Sequence, residues 1–176
     1  MCILELKLID DASRERGFTL VELMVVIAVV AILITVAVPG FQQATLNSRL
    51  TSYANELAAS SALARGEAIK RNAPVSLCSS NNGTTCTSTE WHQGWILRID
   101  SDSSVLRRMQ GLDSSFNINT TSDGVVTFSA TSVNTETACF EFTRSGYDGS
   151  QRYLVIDRFG RTKVYETKPS GLGCPA

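Results

Sequence analysis

His92 is the only histidine in the chain, so a serine or cysteine nucleophile that needed an imidazole base would have to be built around it. It stands between Trp91 and Gln93, in a stretch that reads as a loop or strand edge. A surface or hydrogen-bonded histidine is the reading these residues favour. Asp100-Ser101-Asp102-Ser103-Ser104 sets oxygens at alternate positions, as a calcium loop does. The full loop also needs a turn glycine and a distal bidentate acid, and residue 105 is Val where the glycine belongs. The segment therefore reads as a hairpin turn. No glycine-rich loop follows a strand, so nothing supports nucleotide binding. The residues call for no catalytic centre, no metal and no cofactor.

Cysteine offers covalent rather than catalytic chemistry. Cys2 lies in the N-terminal segment, and Cys78, Cys86, Cys139 and Cys174 lie in the polar remainder. The absence of Cys-x-x-Cys spacing and the single histidine argue against zinc. Four cysteines allow three connectivities. We favour Cys78–Cys86, which closes a short loop, with Cys139–Cys174, which pins the C-terminal tail to an inner strand. Bridges persist if this portion is exported. Reduced, buried cysteines are the alternative.

Charge nearly cancels, with 16 Lys+Arg against 17 Asp+Glu. The first 17 residues hold three bases and four acids, and removing them leaves 13 of each. Global charge thus argues neither for nor against nucleic acid. Locally, residues 144–168 carry six bases (Arg144, Arg152, Arg158, Arg161, Lys163, Lys168) and three acids (Asp148, Asp157, Glu166). Arg158 and Arg161 flank Phe159-Gly160 in a turn between two candidate strands. With Lys163, such a tip has the chemistry to grip phosphates through charge-assisted hydrogen bonds. Its plain alternative is a solvated turn, or a subunit contact in which Asp157 and Glu166 take part.

The remaining chemically notable residue is Glu22, near the start of an apolar run. From Leu23 to Val38 only Thr35 is polar, and the run from Phe18 up to Pro39 holds 21 residues, Phe18 included. That run can cross a hydrocarbon core of roughly 30 Å at about 1.5 Å per residue. It is longer than the apolar core of a cleaved secretory signal. Arg14 and Arg16 place its N-terminal side in the cytoplasm and the rest of the chain outside it. A carboxylate within a membrane is costly and usually has a partner. A cut between Gly17 and Phe18 would create an α-amine, and a neighbouring copy's amine could then pair with Glu22. Snorkelling to the interface, or support of the helix N-terminus, is the simpler role.

These groups need elements to hold them. Beyond Pro39-Gly40, Leu46, Leu50, Tyr53, Leu57, Ala64 and Ala68 recur at helical spacing, with Asn47, Arg49, Asn55, Glu56 and Arg65 facing elsewhere. Asn72 and Pro74 mark the stop. One helix is expected from Phe18 to Arg71, about 80 Å long, with Pro39 removing a backbone donor and kinking or loosening it. After Pro74 the sequence predicts strands at Val75–Ser79, Gly94–Ile99, Val105–Met109, Val125–Ser129, Ala138–Thr143, Tyr153–Asp157 and Thr162–Tyr165. Segments 79–90 and 113–137, dense in Ser, Thr and Asn, read as loops. The expected fold class is α+β, a long helix with one antiparallel sheet against its C-terminal half.

Arg16-Gly17-Phe18-Thr19-Leu20-Val21-Glu22-Leu23, followed by an apolar helix and Pro39, resembles the type IV prepilin signature. The resemblance implies cleavage after Gly17 by a prepilin peptidase, N-methylation of Phe18 and use of Glu22 in assembly. The 17-residue leader is longer than many of its kind and slightly acidic. Segment 61–71, Val75-Ser76-Leu77-Cys78, Trp91, Gly94-Trp95 and Phe159-Gly160-Arg161-Thr162-Lys163-Val164 are similar to the GspH/FimT family of minor pilins and pseudopilins. This resemblance implies a type IV pilin fold and a non-enzymatic subunit. Its organisation would be a leader at 1–17, a membrane and assembly helix at 18–40 and a periplasmic domain at 41–176. Its surroundings would be the inner membrane and other major and minor pilins. The Cys78 strand and the run Leu20–Val26 look closer to the pilus branch. A GspH-type pseudopilin of a type II secretion system is the alternative. In FimT-like pilins a Gly-Arg-x-Arg element is associated with capture of double-stranded DNA in natural transformation. Here it reads Gly-Arg-Thr-Lys, so Lys163 keeps the charge and loses the planar fork.

Overall fold

Helix α1 (Leu20–Arg71) is delimited by chemistry at both ends. Thr19 caps its start, its Oγ1 accepting the Glu22 amide at 3.2 Å and its carbonyl the Leu23 amide at 3.1 Å. This cap moves the first helical residue from the expected Phe18 to Leu20. At the far end Asn72 takes φ 49°. The Ala73 amide reaches the Ala68 carbonyl and the Asn72 amide the Ile69 carbonyl, each at 3.3 Å. That is a Schellman stop, with Pro74 just beyond it. Helix α1 is continuous through Pro39, whose ring offers no amide to the Thr35 carbonyl. The computed structural model describes residues 17–87, 90–131, 133, 137–146 and 150–175. Apart from Gly17, the expected leader lies outside them.

Two compact units divide the chain at Gln42/Gln43. In the first, every side chain described is exposed. In the second, Leu46, Leu50, Ala54, Leu57, Ala64 and Ala68 of α1 are buried, so the anticipated stripe forms, with Tyr53 at its margin.

Two antiparallel sheets share this stripe, where one was expected. The first has the order β3-β2-β1-β5, from β1 (Val75–Ser79), β2 (Gly94–Ile99), β3 (Val105–Gln110) and β5 (Val125–Phe128). The second has the order β4-β6-β7-β8, from β4 (Phe116–Thr120), β6 (Thr137–Arg144), β7 (Arg152–Asp157) and β8 (Thr162–Tyr165). Strand β4 corrects the expected loop. Phe116 and Ile118 enter the core while Asn117 and Asn119 face away, a period of two half-hidden by asparagines. Leu77, Leu97 and Phe128 of one sheet and Phe140, Phe142, Leu154 and Ile156 of the other meet in a single cluster with α1.

Some polar atoms in this core have partners that fix the packing, whereas the buried Trp91 indole N–H has none among the described residues. The Trp95 indole N–H donates to Ser60 Oγ at 3.1 Å, and the Ser60 hydroxyl donates to the Glu56 carbonyl at 2.9 Å. Tyr53 meets Phe116 edge-on at 5.2 Å, and Trp91 meets Phe140 at 4.8 Å. Gly94 admits no substitute. It takes φ 122°, and a Cβ there would sit 2.6 Å from the Met109 carbonyl oxygen.

Candidate functional site

Strands β7 and β8 are joined by a turn around which the cations Arg158, Arg161 and Lys163 are exposed. The Asp157 carbonyl accepts the Gly160 amide at 2.8 Å, and the Asp157 amide donates to the Arg161 carbonyl at 3.0 Å. Gly160 takes φ 71°. This is a three-residue hairpin loop ending in a left-handed residue, for which glycine is the natural choice. Arg65 Cδ and the Phe128 ring would lie 3.0 and 3.3 Å from a Cβ at Gly160, so the turn is pressed against both α1 and β5.

The side chain of Asp157 organises the tip. Its Oδ1 accepts the Phe159 and Arg161 amides at 2.9 Å each, and its Oδ2 accepts Arg161 Nε at 2.6 Å. Burial raises this carboxyl's pKa. The amide and guanidinium of Arg161 and the amide of Phe159 outweigh that effect and hold it below the ordinary aspartate range. Asp157 thus occupies the Nε edge of a guanidinium whose side chain remains 71% exposed. Arg158 and Arg161 lie 4.9 and 5.5 Å from the centre of the Phe159 ring, and Lys163 Nζ lies 4.7 Å from that of Tyr165.

The basic stretch 144–168 does not stay together. Arg144 and Arg152 fall at the opposite end of β6 and β7 from the hairpin. Arg144 lies over Phe116 at 6.0 Å. Arg152 donates to Thr51 Oγ1 at 3.0 Å and pairs with Glu166 at 3.7 Å. Arg65, which the sequence reading left on an outward helix face, joins the hairpin instead. No local pattern could bring it there, since it reaches Gly160 only through the crossing of α1 over the sheet.

Disulfides fasten the outer faces of both sheets. Cys78 pairs with Cys86 and Cys139 with Cys174, with Cα separations of 5.6 and 5.1 Å. The second brings the tail across β6 and β7, where Leu172 and Cys174 pack on Cys139, Tyr153 and Val155. On the same face Glu141, 3% exposed, accepts from Tyr153 Oη at 2.8 Å and from Asn119 Nδ2 at 3.0 Å. Burial, then the bond to Glu141, pushes the Tyr153 hydroxyl up to about 12. Between tail and β8 a cleft of about 410 Å³ is lined by Thr137, Val155, Arg161, Lys163, Tyr165 and Leu172.

The other flagged residues adopt modest roles. His92 sits half-buried in a 3₁₀ turn, Trp91–Gln93. Residues 100–104 join β2 to β3, the Ser104 amide donating to Asp102 Oδ1 at 2.9 Å. Among the described residues no three His, Cys, Asp or Glu side chains gather as metal ligands. Glu22 lies in the first turn of α1, the one helix described that is long and apolar enough to cross a membrane.

A capped apolar helix leading into an amphipathic half, with antiparallel sheets closed on that half, is the type IV pilin fold. Residues 53–160 match the family model described as type II transport protein GspH, and residues 12–38 match the prokaryotic N-terminal methylation motif. The first match covers more than half of the chain, which therefore belongs to the GspH family, a family of pilin-like subunits rather than enzymes. Crystal structures of the type IV minor pilin FimU of Pseudomonas aeruginosa superpose with TM-scores of 0.58 and 0.57 at 22% identity. They cover 70% and 69% of this chain and 94% and 98% of theirs. A type IV major alpha-pilin of Moraxella bovis is 45% identical over 47 residues, 27% of this chain and 30% of that protein. A fimbrial protein of Pseudomonas aeruginosa is 38% identical over 66 residues, 35% of this chain and 43% of that protein. The chain thus spans less than half the length of these curated relatives.

Proposed function

We infer that the chain is a minor pilin of a type IV pilus, held in the inner membrane by α1 before entering or priming a filament. The observation that carries this reading is the junction of Gly17, Phe18, the Thr19 cap and Glu22 at the head of an apolar helix, matched by the methylation motif. On this reading prepilin peptidase removes residues 1–17, Phe18 is N-methylated, residues 18–40 anchor the subunit among other pilins, and residues 41–176 face the periplasm. A pseudopilin of a type II secretion system is the alternative, favoured by the family's description as a type II transport protein. Mass spectrometry of membrane-extracted protein should find a mature chain beginning at N-methylated Phe18. An intact leader, or another first residue, would contradict the processing.

A second role rests on the exposure of Arg158, Arg161 and Lys163 around one hairpin: contact with double-stranded DNA during natural transformation. The Asp157 clamp preorganises Arg161, and a phosphate would meet the part of the guanidinium that Asp157 leaves exposed. Changing Arg161 and Lys163 together to Ala should weaken duplex binding about tenfold or more and reduce the slope of log affinity against log salt by about two. A slope near zero in the parent protein would exclude this role.

A further inference from the structure

We propose that the outer edge of β8 binds an extended partner strand whose side chains alternate acidic and apolar. Among the described residues, strand β8 ends its sheet, with only β7 beside it. Bonded and non-bonded pairs alternate along an antiparallel ladder. Asp157 and Arg161 form a bonded pair, so Val155–Lys163 and Tyr153–Tyr165 are the next bonded pairs in this register. The N–H and C=O groups of Thr162 and Val164 therefore point away from β7, along the edge, where a further strand would meet them.

The two sides of this edge differ in chemistry. Arg161, Lys163 and Tyr165 alternate onto the outer face and line the cleft described above. On the inner side, a groove of about 340 Å³ runs between the edge and α1, with Ala62, Gly66, Ile69 and the cation Arg65 on its helix wall and Arg161 and Thr162 on the hairpin side. Ile69 is 52% exposed there. A strand added to β8 would send alternate side chains to the cations of the outer face and to the apolar part of this groove, Ala62 and Ile69. Sheet edges are commonly protected by an inward-pointing charge or a proline. In β8 the inward residues are Thr162 and Val164, and no proline lies in it, so these two devices are absent and the edge is guarded only by its four-residue length and the outward Lys163. The proposal is independent of how the N-terminus is processed, and its failure would leave the subunit reading untouched.

The test uses the full chain in detergent micelles and a blocked octapeptide alternating Glu and Val. Hydrogen exchange of the Thr162 and Val164 amides should slow at least tenfold with peptide bound. Two N-methylated isomers, each blocking the amides along one edge of the peptide, should differ, one binding like the parent and the other at least tenfold weaker. Thr162→Pro removes one edge donor at the first position of a strand, where proline is tolerated, and should also weaken binding at least tenfold. Lys163→Glu should shift preference to a Lys/Val peptide. Equal binding of the two isomers would reduce the contact to charge alone and overturn the proposal. So would unprotected amides with saturating peptide, or protection given by duplex DNA and by no peptide.

Discussion

Glu22→Leu is expected to leave the protein in the membrane at its normal level and to lower its entry into filaments at least a hundredfold. The side chain sits in the first turn of α1, beneath the Thr19 cap. Its favourable contact with the helix N-terminus is worth about 0.3–1 kcal/mol, too little for its loss to unfold the helix. Leucine suits an apolar anchor, so insertion should not suffer. The cost falls on a neighbour, whose freed Phe18 amine would be buried among helices without a counter-charge. Removing one partner of a buried pair costs about 3–5 kcal/mol, and each 1.4 kcal/mol is about tenfold in an equilibrium. The measurement is the ratio of this subunit in sheared filaments to that in membranes, compared with the parent. An unchanged ratio would show that the pairing is dispensable.

The two disulfides should prove unequal. Cys139 and Cys174 are 35 residues apart in sequence, and Cys78 and Cys86 are 8 apart. Loop-closure entropy assigns about 4 kcal/mol to the longer loop and about 2.5 kcal/mol to the shorter. Cys78 and Cys139 are both fully buried, so truncation to alanine should cost a similar amount in each pair. Loss of the longer bridge also frees Leu172 from Tyr153 and Val155. Cys139→Ala with Cys174→Ala should therefore lower the unfolding midpoint by about 10 °C or more, at roughly 2–4 °C per kcal/mol. Cys78→Ala with Cys86→Ala should lower it by distinctly less. Thermal unfolding followed by tryptophan fluorescence would decide, and the reverse order would refute the loop-length account.

What the sequence made legible was periodic or local. The α1 stripe shows in the spacing of Leu46, Leu50 and Leu57, and the helix stop in Asn72 and Pro74. Strand β4 was hidden because its outward residues are asparagines, which also suit loops, while only Phe116 and Ile118 carry the alternation. The division into two sheets has no local signature, since it depends on which strands become neighbours. At the hairpin the cations Arg158, Arg161 and Lys163 could be named in advance. The Asp157 clamp, with its bonds to Phe159 and Arg161, required the turn geometry. Arg65 required the packing of an element almost a hundred residues earlier in the chain.

The hydrophobic stripe of α1 has a mechanical corollary. Leu46, Leu50 and Leu57 are sealed in the main cluster, and the same helix continues without interruption toward Leu20. Tension reaching the second unit through its first residues would act on its interior, because Leu46 is already part of the main cluster. Gln43 is bonded to Ser150 and Leu46 is already enclosed, so a cut that leaves the second unit closed has to fall before Gln43.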